Sequence, residues 1–267
     1  MKTVLSIAGS DSSGGAGIQA DIKTLTMNGV YAMTAVTALT AQNTIGVYDI
    51  LESSPEFLKK EIDAVFEDIP PDAVKIGMVS SPCLIEVIAE RLVYYNAKNI
   101  VTDTVMVSTS GKPLLKPEAV DIMKEKLLPL SDVITPNIPE AEILSGVAIK
   151  NKYDMEKAAA FMADKFNTAV LLKGGHNCDN ANDLLYSNGK TKWFIEDRID
   201  NENTHGTGCT LSSAIAANLA KGYNLEDSVF MAKKYISQAI GSMLNIGHGK
   251  GPLNHAFYLT GYFAERN

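Results

Sequence analysis

Two rhythms alternate along this chain: short unbroken apolar runs, and longer stretches with apolar residues three or four positions apart. The first reads as buried strands and the second as amphipathic helices. Residues 4–8 form the first predicted strand. Gly9-Ser10-Asp11-Ser12-Ser13-Gly14-Gly15-Ala16-Gly17 follows, then a helix carrying Ile18, Ile22 and Leu25. A second strand covers residues 32–39 and ends in Thr40-Ala41-Gln42-Asn43. Ser54-Pro55 opens a helix in the favoured cap-then-proline order, with Phe57, Leu58, Ile62, Val65 and Phe66 as its apolar face. The strand Ala73-Val74-Lys75-Ile76 leads to Gly77-Met78. Ser81-Pro82 caps a helix with Leu84, Ile85, Ile88 and Leu92, and the strand Ile100-Val101-Thr102 ends at Asp103. A helix over 117–128 precedes the strand Val133-Ile134-Thr135, which ends at Pro136-Asn137. A short helix over 139–144 is closed by Gly146, a further helix covers 154–166, and the strand 169–172 ends in Lys173-Gly174-Gly175.

Past Lys173 the pattern changes. Residues 183–186 and 192–195 flank Ser187-Asn188-Gly189-Lys190, and Asn-Gly between apolar runs signals a hairpin. A small-residue helix over 211–220 is followed by Gly222. A long amphipathic helix carries Val229, Ala232, Ile236 and Ile240, and a glycine-rich turn at 247–252 leads to a last short helix. Alternating strands and helices predict a mostly parallel sheet covered on both faces. The expectation is α/β: one domain over 1–267, a three-layer α/β/α sandwich with an antiparallel edge hairpin.

Composition narrows the partners. The chain has 267 residues, 46% hydrophobic and 21% charged, ordinary for a globular protein, and a net charge of -7. That sign argues against nucleic acid and anionic membrane as main partners. Cys83, Cys178 and Cys209 lack CxxC spacing, so metal and disulfide-framework readings are weak. No apolar run approaches the ~20 residues of a membrane span, and the first residues do not read as a signal peptide. A reducing, cytoplasmic setting is the expectation.

Polar or special residues recur just beyond predicted strand ends: Asp11, Gln42, Met78, Asp103, Asn137 and Lys173. In a parallel sheet these share one rim, where ligands bind. The glycine loop at 9–17 fails as a Walker loop, because Gly14 is followed by Gly15-Ala16 rather than Lys and a hydroxyl residue. It fails as a dinucleotide fingerprint because the second strand ends in Gln42-Asn43, not an acid. Gln42 offers a donor and acceptors, suited to a heteroaromatic edge or equally to a polar turn. Asp103 reads as a metal-holding or an amide-capping carboxylate. Glu140 reads as a ligand to Mg²⁺ through water or as a first-turn acid favoured by the helix dipole. Lys173, before two glycines, is placed to meet phosphate. In His205-Gly206-Thr207-Gly208-Cys209-Thr210 a glycine turn enters a helix, a seat for a phosphate or phosphoryl oxyanion, or alternatively a plain turn with a buried cysteine. His248 and His255 lack a metal-ligand context and read as structural or surface residues.

Taken together, these segments resemble the hydroxymethylpyrimidine/phosphomethylpyrimidine kinases of thiamine biosynthesis, within the ribokinase-like superfamily. The matching pieces are Ala8 to Ser12 with Gly14 to Asp21, Thr37-Ala38 with Gln42-Asn43-Thr44, and Lys75-Ile76-Gly77-Met78. Thr135 to Ala141, Lys173-Gly174-Gly175-His176 and His205 to Thr210 complete the set. The chain departs from the family in reading Asp103-Thr104-Val105-Met106 where Asp-Pro-Val-Met is usual. The resemblance implies that Gln42 bonds the pyrimidine and that Gly9, Ala16, Met78 and Val105 line its pocket. It implies that Asn137, Glu140 and Lys173 serve ATP phosphates and Mg²⁺, beside the metal-holding reading of Asp103 from its strand-end position. Gly206, Thr207 and Gly208 would form an anion hole, Cys209 would stand where sugar kinases carry an aspartate base, and the protein would be a homodimer. Two alternatives stay open: a pyridoxine/pyridoxal kinase, for which relatives use a second cysteine where this chain has Ser108, and a non-catalytic pyrimidine-binding sensor.

Overall fold

Strands apolar on both faces require a cover on both faces, and the computed structural model, which describes residues 1–106, 115, 117–174 and 182–260, provides two. Nine strands make one continuous sheet. They are β1 (Thr3–Asp11), β2 (Tyr31–Gln42), β3 (Val47–Glu52), β4 (Ala73–Ile76), β5 (Ile100–Thr102), β6 (Val133–Ile134), β7 (Ala169–Leu172), β8 (Asp183–Ser187) and β9 (Lys190–Phe194). The order is β3-β2-β1-β4-β5-β6-β7-β8-β9. The run from β2 to β7 is parallel, β3 pairs antiparallel with β2, and β8 and β9 extend the other edge antiparallel. The chain runs from β1 to β2 on one side and returns past β1 to β4. The crevice beside β1 is therefore a topological switch point, the expected place for a ligand.

The helices are α1 (Gly17–Met27), α2 (Pro55–Asp68), α3 (Pro82–Tyr94), α4 (Pro117–Ile122), α5 (Ile138–Ser145), α6 (Lys152–Phe166), α7 (Thr207–Ala220) and α8 (Leu225–Gly241). One apolar cluster joins Leu5, Ile7, Val74 and Ile76 to α2, α3, α5 and α6. The other joins Val4, Ala73, Val101 and Leu171 to α7 and α8, with Leu25 of α1. Adjacent strand residues thus go to opposite layers, as the pleat requires. Ala214, Ile215, Ala216 and Ala217 are fully buried. Such small side chains let α7 lie close to the strands and put its first turn at their rim.

The predicted sandwich and its edge hairpin are observed, with Asn188 and Gly189 both at positive φ (51° and 71°) as a two-residue turn demands. Several boundaries differ. β1 continues through Gly9 and Ser10 to Asp11 with an irregularity in its register, and β2 reaches Gln42. β3 was not expected: Val47-Tyr48-Asp49-Ile50-Leu51-Glu52 lies at an edge and is largely exposed, so no buried run marks it. Ser54 caps α2 by accepting from Phe57 N–H, and Phe57 points outward while Leu58, Ile62 and Phe66 are buried. The helix predicted over 117–128 continues beyond α4 as a wider π turn (Met123–Leu127) and a 3₁₀ turn (Leu128–Leu130). α7 begins at Thr207, four residues before the small-residue run that signalled it. The last short helix is instead a turn at 255–258. Gly175, His176, Cys178 and Ser108 lie outside the described residues.

His248 is exposed, whereas His255 is buried and ties the C-terminal segment to α7 through Nε2, 3.0 Å from Thr210 Oγ1. Burial, with the charge of Lys23 adding to it, pushes the imidazole down to about 4. An imidazole kept neutral in the fold and free to protonate when unfolded withdraws stability as pH falls from about 6.5 towards 4. The full effect is about 3 kcal/mol. Urea unfolding at pH 7 and pH 4.5 is expected to show a smaller acid loss in His255→Gln than in the parent. Equal losses would show that His255 does not carry this dependence.

Candidate active site

The carboxyl ends of the parallel strands converge as the sequence predicts, and the first junction is between backbones. Gly206 has φ 84°, and a Cβ there would lie 1.9 Å from the carbonyl oxygen of Gly15. Only glycine can join the first glycine loop to the start of α7 at this distance. Gly208 N–H and Cys209 N–H then have no acceptor among the described residues, since the first bond of the helix is Thr210 N–H to Gly206 O. Free leading amides at a helix start carry partial positive charge. Thr207, Gly208 and Cys209 are all half-buried, so these groups face the rim rather than the core.

Directly beneath them lie the groups from β5, β6 and β7. A Cβ on Gly208 would sit 3.1 Å from Asp103 Oδ2 and 3.5 Å from Lys173 Nζ. Lys173 Nζ donates to Asp103 Oδ1 at 2.9 Å, and Thr135 Oγ1 donates to the same oxygen at 3.0 Å. Burial raises the Asp103 carboxyl, but Lys173 and Lys75 more than reverse this and hold it ionised below the usual range. Burial alone would lower Lys173, yet Asp103 and Glu140 keep it charged. Asn137 caps α5: its side chain accepts from Glu140 N–H at 2.9 Å, and Glu140 Oε2 accepts from Asn137 N–H at 2.9 Å. This reciprocal pair is a capping box. Thr104 Oγ1, at the position where the family usually has proline, donates to the same Oε2 at 3.1 Å. Burial pushes Glu140 up against the pull of Lys173. Both readings of Glu140 therefore describe one residue: it caps α5, and it faces Lys173.

On the other side of α7 the cleft is less polar. A Cβ on Gly9 would lie 2.8 Å from Met78 Cε, so these two are in contact, and Thr37 Oγ1 holds the Met78 carbonyl at 2.7 Å. Ala16 caps α1, and Ala16, Met78 and Val105 are each half-buried on the rim. Gln42 closes this side, with Nε2 3.2 Å from His205 Nε2 and Oε1 3.0 Å from Thr40 Oγ1. Asp11 departs from expectation. It is buried, accepting from Ser13 N–H and Oγ, Gly15 N–H and Ala16 N–H, and paired with His205 Nε2 at 2.7 Å. Its carboxylate organises the loop and does not face the cleft. Cys209 stands half-buried at the junction, and Gly17 N–H points at its sulfur. Burial, with Asp21 and Asp103 nearby, pushes the thiol up to about 11 despite Lys75. At neutral pH only about one protein in 10⁴ would carry the thiolate.

Sequence reading missed the charge beneath α7. Lys75 and Asp21 are fully buried, with Nζ 2.9 Å from both carboxylate oxygens. Ser6 Oγ and Ser213 Oγ also donate to Asp21. The signals were a lysine inside a buried strand and an aspartate on the helix face of Ile18 and Leu25, since buried charges come paired. Asp183 was read only as a strand residue. Its Oδ1 accepts from Gly174 N–H and its Oδ2 pairs with Lys233 of α8, which fixes the chain next to Lys173. No cluster of three or more metal-ligating side chains occurs among the described residues.

A rim that gathers cationic and amide donors on one side and Gly9, Ala16, Met78 and Val105 on the other has the groups that moving a phosphoryl group onto a small molecule requires. The class it defines is the small-molecule kinases with a ribokinase-like sandwich. The family model described as phosphomethylpyrimidine kinase matches residues 11–254, and the chain belongs to that family. It is similar to the hydroxymethylpyrimidine/phosphomethylpyrimidine kinase of Haemophilus influenzae, 44% identical over 97% of this chain and 98% of the relative. The corresponding kinase of Bacillus subtilis is 43% identical over 94% and 93%. Among solved structures, the phosphomethylpyrimidine kinase of Clostridium difficile 630 superposes with TM-score 0.81 at 48% identity, covering 90% of this chain and 100% of that one. An ADP complex of Bacillus subtilis pyridoxal kinase superposes with TM-score 0.90 at 36% identity, covering 97% and 98%.

Removing one partner of a buried ion pair strands the other charge. Lys75→Met is expected to destabilise the protein by about 3–5 kcal/mol, and adding Asp21→Asn to recover part of that loss. Denaturant unfolding of both variants checks this. A single variant as stable as the parent would show that the pair is not holding α1, α7 and β4 together.

Proposed function

We propose that this chain transfers the γ-phosphoryl group of ATP to the hydroxymethyl oxygen of 4-amino-5-hydroxymethyl-2-methylpyrimidine, and a second phosphoryl group to the resulting monophosphate, in thiamine biosynthesis. The observation that carries this reading is the pair of unpartnered amides at the start of α7, set over Lys173. Phosphoryl transfer asks for positioning and charge neutralisation more than for covalent help. In our reading Gly206 shapes the turn, the free amides of Gly208 and Cys209 receive the equatorial oxygens, and Lys173 meets the polyphosphate, while Thr207, expected in the anion hole, already donates its N–H to Thr204 O. The hydroxymethyl oxygen forms the new P–O bond, the bond to the ADP oxygen breaks, and the hydroxyl proton departs late, to an oxygen of the transferred group and then to water. Gly9, Ala16, Met78 and Val105 hold the ring, and Asn137 and Glu140 face the nucleotide.

Mg²⁺ fits the acids present. Asp103 Oδ2 and Glu140 Oε1 accept no hydrogen bond among the described residues, while each partner oxygen is anchored. Oxygen ligands completed by water are what Mg²⁺ prefers. When bound, it neutralises polyphosphate charge. Glu140, held up by burial, would give up any proton it retains as a cation arrives.

Cys209 is assigned to the lining rather than to the base, because a thiol pushed to about 11 is neutral and bound phosphates would raise it further. The domain is read as spanning 1–267. A homodimer is supported by the edge strand β3 and the turn before it, which leave Tyr48, Leu51 and Ile45 exposed. A cytoplasmic setting is supported by the free Cys83 and Cys209. No helix among the described residues is long and apolar enough to cross a membrane, and the net charge of -7 disfavours nucleic acid.

ADP release with hydroxymethylpyrimidine, its monophosphate and pyridoxal, measured side by side, tests the assignment. Turnover of both pyrimidines, with pyridoxal slower, is expected. Preference for pyridoxal would make the protein a pyridoxal kinase, and no turnover of any would leave a binding sensor. Lys173→Met is expected to lower kcat by about 10²–10³, as losing one transition-state contact does. Cys209→Ala and Cys209→Ser are each expected to keep kcat within about tenfold, whereas general bases contribute about 10²–10⁴. A larger loss in both cysteine variants would restore the thiolate as base.

A further inference from the structure

Behind Gln42 stand two residues in a chain of contacts, His205 and Asp11. Asp11 receives four donors from its own loop, two on each oxygen, so it is an ionised acceptor. His205 Nε2, 2.7 Å from Asp11 Oδ2, must therefore carry a proton and donate it. That fixes what stands 3.2 Å from the same nitrogen at the tip of Gln42. An amide N–H₂ there would set donor against donor. The other end of the amide obeys the same count. Thr40 Oγ1 has one proton and two acceptors in reach, Ser10 O at 2.8 Å and Gln42 Oε1 at 3.0 Å; with the proton on the nearer Ser10 O, it can only accept from Gln42. A half-turn exchanges an amide's oxygen and nitrogen, and the proton count chooses between them. Both neighbours select one orientation: oxygen towards His205, nitrogen towards Thr40. Gly15 makes this possible, because a Cβ there would lie 2.4 Å from the ring carbon His205 Cδ2.

We propose that Asp11 and His205 are positioning residues that lock the Gln42 amide in one orientation, so that the cleft selects a 4-aminopyrimidine edge over a 4-oxopyrimidine edge. The proposal rests on the reading of Gln42 as the ring-recognising group. With its inner contacts made, Gln42 presents one N–H and one oxygen lone pair outward. A 4-aminopyrimidine offers a ring-nitrogen acceptor beside an amine donor, which pairs with both. A 4-oxo ring offers a carbonyl acceptor beside an N–H donor, in the opposite order. With the hydroxymethyl group fixed at α7 the ring cannot turn over, so the oxo compound needs the reversed amide. Reversal would break with His205 and Thr40 at once.

The test is the ratio of kcat/KM for the 4-amino alcohol to that for its 4-oxo analogue. The parent ratio is expected to be at least about 100, since a site built on hydrogen bonds rejects a mismatched partner strongly. His205→Leu is expected to cut the ratio at least about tenfold by freeing the amide. His205→Gln keeps an N–H donor and is expected to restore most of it. Gln42→Leu should abolish the preference. If His205→Leu keeps the ratio while Gln42→Leu loses it, the positioning role is overturned and the reading of Gln42 stands. If both keep it, Gln42 does not read the ring and both ideas fall. Should His205→Leu not fold, ¹⁵N NMR of the imidazole in the unaltered protein decides. A protonated Nε2 supports the lock, and an unprotonated Nε2 overturns it.

Discussion

One contact fixes everything else at the rim: the backbone of Gly206 lying on the carbonyl of Gly15. It joins the loop after β1 to the first turn of α7 without a side chain between them. A methyl group at either glycine would push the two apart, and with them the free amides and the cleft. Gly15 admits the His205 ring and Gly206 takes the left-handed turn. The two sides of the proposed site, one read as taking phosphoryl oxygens and one a ring, thus share a single seam. The small, fully buried residues of α7 do the same at the level of the layer. They let a helix rest on the sheet with its positive end at the strand tips, where an anion is welcome.

Under that seam the protein holds charge in two tiers. The deeper tier is Lys75 with Asp21, sealed from water and completed by two serines. The upper tier is Asp103, Lys173 and Glu140, partly open to the rim. Lys75 acts on the upper tier at a distance by favouring the ionised Asp103, while Asp21 and Asp103 both oppose a thiolate at Cys209. In the proposed reading, the arrangement keeps three acids, two lysines and a neutral thiol together until a polyphosphate arrives. Whatever buried ion pairs contribute to stability is modest. Here the geometry they impose on β4, α1 and α7 is the more direct consequence.

The layers, the mostly parallel sheet and the rim were legible in the sequence because buried strands, helical spacing and glycine punctuation each have a direct physical cause. Ala73-Val74-Lys75-Ile76 reads as a strand because three of its four residues are apolar. The lysine's partner stayed hidden because Asp21 is distant in sequence and meets it only when α1 closes over β1 and β4. β3 escaped because an edge strand open to water carries no buried pattern. The start of α7 was placed late because its first turn, Thr207-Gly208-Cys209, is chosen for its backbone and has little helix propensity. Most of the candidate site was legible by position, as residues past strand ends. Its proton bookkeeping was not, because the Asp11, His205, Gln42 and Thr40 network exists only between segments up to 194 residues apart.

If the start of α7 is where the phosphoryl group passes, its amides must feel the transferring charge. The direct measurement is amide ¹H–¹⁵N NMR of Gly208 and Cys209 as Mg²⁺, ADP, hydroxymethylpyrimidine and aluminium fluoride, a mimic of the travelling group, are added together. Large downfield proton shifts at these two amides, absent when the fluoride is omitted, are expected. Unchanged amides at 208 and 209, with the shifts appearing elsewhere on the rim, would contradict it.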